Sequence, residues 1–196
     1  MVEFPKPAGR DINMMPFVIG QEDTLPDQCR DYWSLIQACE VEAEEDGRIG
    51  YLTVTEKEVQ PGRSQRRGGA HVERHPHGSW GGGGWGRGRY GYRRQGGLYM
   101  ASNLGQTTAV WEKEVREPGP GGDCAHLELG APDKVLDAGE LVWMTDSCPH
   151  ESLAVTSSGY RQFFRLVTSD VDLWYRQKST ENPLGVKPSE NVMIIN

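Results

Sequence analysis

The sequence predicts a mainly β domain of the α+β type, and three observations carry that expectation. Apolar residues make up 36% of the chain while 25 glycines and 12 prolines interrupt it, a composition of short strands and turns rather than of a helical bundle. Segments between residues 51 and 169 alternate apolar and polar side chains with a period of two. Helical spacing is confined to one early and one late segment, without βαβ alternation or a repeat period, so a small barrel or sandwich is expected to carry the site. The 196 residues are enough for one domain, 1–196. Its expected parts are a helical region at about 24–46, a β core at about 51–169, and a C-terminal helix and tail at about 170–196.

Residues 1–20 form an irregular lead in which VIG closes a short edge strand. TLPDQCRDYWSLIQACEVEAEEDG follows with a capping-type Thr24, a proline in the first turn, Tyr32, Ile36 and Cys39 at helical spacing, and Gly47 near the stop. YLTVTEKEV, 51–59, alternates Leu52 and Val54 with Thr53 and Thr55, the pattern of a half-buried strand. After Pro61-Gly62 and the histidine-rich GGAHVERHPHGSW comes a glycine-rich loop, residues 80–97, with four arginines and four aromatics. LYMASN, 98–103, and TTAVWEKEV, 107–115, read as a hairpin around a tight turn at 104–106. KVLDAG leads into the strand ELVWMTD, 140–146, YRQFFRLVTS at 160–169 is the last clear strand, and DVDLWYRQKS reads as the short closing helix.

Charge and cysteine usage exclude several classes. A net charge of -7 argues against general nucleic-acid binding, which needs a clustered cationic surface. No apolar run approaches the roughly 20 residues of a membrane span, and the first residues lack a signal-peptide layout, so a cytoplasmic protein is expected. Four irregularly spaced cysteines suit free thiols better than disulfides or a cysteine zinc site.

The chemistry concentrates around HVE. In an extended segment residues i and i+2 share a face, so His71 and Glu73 can meet one ion while Val72 turns into the core. Two histidines and one carboxylate leave positions open on a metal such as Fe(II). His150 in AGELVWMTDSCPHES is the best distant third ligand, ahead of His126 in a charged loop. His75 and His77 form a second i, i+2 pair, but Pro76 interrupts strand pairing there. Arg161 follows His150 by eleven residues, and Arg165 shares its strand face; inward guanidiniums call for an anion such as a dicarboxylate.

With HVE, the distal His150 and Arg161, the chain resembles the Fe(II)- and 2-oxoglutarate-dependent oxygenases, in the phytanoyl-CoA-hydroxylase-like arrangement. The resemblance spans residues 51–169. It implies a double-stranded β-helix, a jelly-roll or cupin-like core, with iron on His71, Glu73 and His150 and with Arg161 on the far carboxylate of 2-oxoglutarate. It further implies dioxygen as oxidant, succinate and CO2 as products, and hydroxylation or another C–H activation of a small polar or acidic substrate. Most members carry Asp where this chain has Glu73, whose arm is longer. Tyr99, Asn103 and Arg165 are candidates for co-substrate contacts. Arg66 and Arg67 near the site mouth, His75, His77, Trp80 and Trp111 are candidates for the substrate.

Two other readings stand beside this one. AGELVWMTDSCPH also resembles the second motif of cupins, where Gly139 opens a strand and His150 binds metal; His75 and His77 would then replace HVE in an enzyme without 2-oxoglutarate. Alternatively, the Gly/Arg/Trp loop serves a non-catalytic binding domain.

Overall fold

A computed structural model describes residues 1–74 and 97–196. Its strands, in chain order, are β1 (Asp11–Val18), β2 (Ile49–Val59), β3 (Leu98–Ser102), β4 (Thr108–Val110), β5 (Lys134–Val135), β6 (Val142–Met144), β7 (His150–Ser152), β8 (Gly159–Val167), β9 (Leu173–Tyr175) and β10 (Met193–Ile195). They form a five-stranded sheet in the order β1-β2-β8-β3-β6, a three-stranded sheet β5-β4-β7, and a parallel pair β10-β9. Within the first two sheets every pairing is antiparallel. The expected β-rich class is observed, and no helix among the described residues is long and apolar enough to cross a membrane.

Alternation along β2 and β8 builds two cores from one sheet. Leu52, Val54, Phe164 and Leu166 point to one face, where they join Tyr99 and Ala101 of β3 and the helical segment's Leu25, Cys29, Tyr32, Leu35 and Ile36. On the opposite face Tyr51, Leu98, Met100, Phe163 and Val167 cluster with Val110 of β4 and with Leu136 and Cys148. A bulge in β1 between Ile12 and Met15, with Met14 at φ 47°, sends Met14 to this second core while Ile12 and Met15 remain in the first. All four cysteines are buried free thiols.

Three sequence expectations change. The helical segment is broken into α1 (Asp27–Arg30) and α2 (Trp33–Ala38), flanked by 3-10 turns at Glu22–Thr24 and Ala43–Glu45. Between α1 and α2 Tyr32 leaves helical geometry, donates its hydroxyl to Glu56 Oε1 at 2.7 Å and stacks on Phe164 at 6.3 Å, so tertiary contacts override helix propensity. The expected hairpin is absent: β3 pairs with β6 and β8, whereas β4 pairs with β5 and β7. The chain changes sheets between them, and the crossing is tied by Thr107 Oγ1 donating to Leu104 O at 2.8 Å. The expected C-terminal helix is β9 followed by one 3-10 turn, Arg176–Lys178. Trp174 donates from its indole to Met14 O at 2.8 Å, and an aromatic anchor of this kind suits a paired strand.

Candidate metal centre and cationic cavity

Strand alternation places the functional side chains. On β8, Arg161, Phe163 and Arg165 share the face opposite Phe164 and Leu166, and β2 sets Lys57, Thr55 and Thr53 beside them in register. On β7, His150 and Ser152 point the same way, and β4 brings Thr108 opposite Ser152. HVE does not form a full strand. His71 makes isolated antiparallel bridges to Asp123 and to His150; toward His150 its amide donates to His150 O at 3.0 Å and its carbonyl accepts from the His150 amide at 2.9 Å. Val72 turns into a small core with Val115 and Cys124, which leaves His71 and Glu73 on the cavity side.

His71, Glu73 and His150 offer ligand atoms that all lie within 4.8 Å of one another. Both imidazoles are held from behind: His71 Nδ1 lies 2.8 Å from Gly69 O and His150 Nδ1 lies 3.1 Å from Cys148 O. A carbonyl only accepts, so each Nδ1 carries a proton and each Nε2 is the ring nitrogen turned inward, the arrangement that metal-ligating histidines use. His150 Nε2 stands 3.6 Å from Glu73 Oε1. Burial, then the nearby His150, lowers the His71 pKa to about 4, so its ring is neutral at physiological pH. Burial alone would raise the Glu73 carboxyl, but the Arg165 guanidinium paired with it holds it well below the usual carboxylate range. Two imidazoles with Nε2 turned inward and one ionised carboxylate fit a divalent first-row ion.

The same cavity, about 180 Å³, is lined by Arg66, Arg161 and Arg165 as well as the three possible ligands. Arg161 is 0% exposed. Its Nε donates to Ser102 Oγ at 3.1 Å, Nη1 to Ser152 Oγ at 2.8 Å, and Nη2 to Thr107 O at 3.3 Å and Thr108 Oγ1 at 3.2 Å. Gln65 steadies the backbone behind it, donating to Arg161 O at 2.8 Å. Arg161 forms no ion pair with a carboxylate among the described residues. Burial and then the charge of Arg66 lower its pKa to about 10, which leaves it cationic.

The structure brings together His71, Glu73, His150, Arg161, Arg165 and Arg66, and places Arg67 at the cavity wall, where it also donates to Gly121 O at 2.6 Å. Arg165 lines the cavity as the partner of Glu73 and also donates to Thr53 Oγ1 at 3.4 Å. Tyr99, Asn103 and Trp111 are not at the cavity. Tyr99 lies on the opposite face of β3 from Met100 and donates to Glu40 O at 2.6 Å. Asn103 pins β8, donating to Tyr160 O at 3.0 Å and accepting from the Gln162 amide at 2.7 Å. Trp111 donates its indole N–H to Gly130 O at 3.0 Å. His126 is exposed, with Nε2 at 3.2 Å from Glu117 O. His75, His77, Trp80 and the glycine-rich loop expected at 80–97 fall outside the described residues, apart from Gly97.

The hydroxyl cradle of Arg161, made by Ser102, Thr108 and Ser152, escaped sequence reasoning. A signal existed: Ser152 stands two residues after His150, and Ser102 shares strand parity with Met100 rather than with Tyr99. No protein-family model, curated protein or solved structure matches this chain.

Proposed function

We propose that the protein is an Fe(II)- and 2-oxoglutarate-dependent oxygenase whose β-rich core is a double-stranded β-helix, acting in one domain on a small molecule. One observation carries the reading: a triangle of two histidines and one carboxylate shares a small cavity with a fully buried arginine that forms no ion pair with a described carboxylate.

His71, Glu73 and His150 are the residues that would hold the iron, and Arg161 the one that would receive the far carboxylate of 2-oxoglutarate. Bound together, iron and co-substrate supply dioxygen activation, coupling oxidative decarboxylation to succinate with oxidation of a C–H bond. The chain's own part is orientation and exclusion of water. Gly69 O and Cys148 O fix both imidazole rings with Nε2 inward. Arg165 keeps Glu73 ionised. Ser152 and Thr108 accept hydrogen bonds from Arg161, so their own hydroxyl protons are available to the same carboxylate. Met100 and Phe163 give the cavity apolar walls, which strengthen each charge interaction inside it.

The cupin-like alternative draws its ligands from His75 and His77, whereas Glu73 and His71 already reach His150 without them. Iron binding that is lost in Glu73→Ala and kept in His77→Ala supports the oxygenase; the reverse pattern supports the cupin. The direct test of activity is succinate release from 2-oxoglutarate with Fe(II) and ascorbate. Absence of succinate across a broad substrate screen would overturn the proposal.

A further inference from the structure

The positive charge of the cavity exceeds what one dicarboxylate co-substrate needs. Four guanidiniums, Arg66, Arg67, Arg161 and Arg165, and the Lys57 ammonium line it against the carboxylates of Asp11, Glu73 and Glu151; Arg165 takes Glu73, and Arg67 pairs with Asp123 outside the cavity lining at 3.5 Å. The Glu151 carboxylate accepts the Gly69 amide at 2.9 Å, and Asp11, whose charge acts on Arg66 together with that of Glu73, is exposed and screened by solvent; the cations still outnumber these carboxylates. A divalent ion adds two positive charges and 2-oxoglutarate removes two, so the surplus persists with both bound.

Among the guanidiniums, Arg66 is where that surplus is least committed. Its side chain makes one hydrogen bond among the described residues, to Thr55 Oγ1 at 3.3 Å. Its guanidinium carbon sits 4.9 Å from the centroid of Phe163, and that of Arg161 sits 5.7 Å from the same ring. One aromatic side chain therefore fixes both cations. Arg161 spends four N–H interactions on its hydroxyl and carbonyl cradle, whereas Arg66 keeps most of its five donors for a ligand. A planar donor fork of this kind matches a carboxylate or phosphate group.

We propose that Arg66 forms a second anion subsite, distinct from that of Arg161, which recognises a carboxylate or phosphate group on the molecule to be oxidised. The assignment rests on the oxygenase reading for the role of the ligand, and on the charge and hydrogen bonding of Arg66 for the site itself.

Calorimetry on zinc-loaded, 2-oxoglutarate-saturated protein tests it with propionate, inorganic phosphate and neutral propionamide as probes. One further equivalent of propionate or phosphate binds, the favoured probe naming the anion, and propionamide does not. Arg66→Met weakens that step at least about tenfold, the cost of roughly one charge-assisted hydrogen bond, and holds the 2-oxoglutarate affinity within about twofold. Arg66→Lys retains part of the anion binding, which separates lost charge from misfolding. Arg161→Met has the opposite pattern, weakening 2-oxoglutarate first. Anion binding that survives Arg66→Met, equal binding of propionamide, or no anion binding would overturn the proposal, as would a loss of 2-oxoglutarate affinity in Arg66→Met matching that in Arg161→Met. If 2-oxoglutarate does not bind the zinc-loaded protein, the oxygenase reading falls; the same titrations without it still decide whether Arg66 is an anion site.

Discussion

Lowering the pH should remove a defined part of the protein's stability through Glu56, the buried carboxylate that ties the N-terminal segment to the sheet. Its Oε2 accepts the amides of Ala8 at 2.7 Å and Arg10 at 2.9 Å, and its Oε1 accepts Arg10 Nη1 at 3.0 Å, the Tyr32 hydroxyl at 2.7 Å and Gln162 Nε2 at 3.2 Å. Burial pushes this carboxyl up, but the donors outweigh it, backbone amides foremost, and bring the pKa from 4.5 to about 2. The folded value is the lower one, so the contribution is complete above about pH 4.5, shrinks as pH falls from there, and is gone below about pH 2. At 1.36 kcal/mol for each tenfold change in proton affinity, that gap is worth about 3 kcal/mol. Glu56→Gln removes the titrating group and turns an amide donor toward a ring of donors. Urea unfolding of both proteins at pH 6, 4 and 2.5 measures the effect. The stability difference between them is expected to be largest at pH 6 and to narrow by a few kcal/mol toward pH 2.5. A difference that stays constant over that range would mean that Glu56 does not change its proton affinity on folding, contrary to the hydrogen bonds it accepts.

Other outcomes follow from the site. Arg165→Met strands the Glu73 charge, which should destabilise the metal-free protein by about 3 kcal/mol, and zinc should raise its melting temperature more than that of wild type; equal zinc shifts in the two proteins would contradict this. Arg161→Met removes a fully buried cation with no carboxylate partner among the described residues, so urea stability is expected to hold within about 1 kcal/mol or to rise, while calorimetry shows 2-oxoglutarate binding weakened roughly a hundredfold. Glu73→Ala should weaken zinc binding by more than about a hundredfold, since supporting groups alone cost ten- to a hundredfold, whereas His126→Ala leaves it unchanged in the same competition assay.

Much of the site is legible in the sequence because it obeys strand parity. The HVE spacing puts two candidate ligands on one side of the chain, and Arg161 and Arg165 share a face because β8 is regular over nine residues. That parity also separates Tyr99 from Met100 and Ser102, on the other side of β3, while Asn103 follows the strand and bonds to the β8 backbone. What periodicity cannot supply is the partner of each group. Nothing local reveals that Arg165 closes on Glu73, 92 residues away, or that Ser102 and Thr108 cradle Arg161 from two different sheets. The hairpin expected at 98–115 fails for a related reason: a short turn between two apolar segments looks the same whether the strands pair or part into separate sheets. The broken helix at Tyr32 and the strand at Leu173–Tyr175 are likewise decided by distant contacts, with Glu56 and with β10.

In the proposed site His71, Glu73 and His150 bind a catalytic metal beside an arginine that receives 2-oxoglutarate. The most direct test of that assignment is quantification of succinate formed from 2-oxoglutarate by protein reconstituted with Fe(II), with and without dioxygen, in wild type, Glu73→Ala and Arg161→Met. Oxygen-dependent succinate in wild type is predicted, abolished in Glu73→Ala and restored in Arg161→Met only at much higher 2-oxoglutarate. Succinate formation that persists at the wild-type rate in Glu73→Ala, or that never exceeds the protein-free control for wild type across a broad substrate screen, would contradict it.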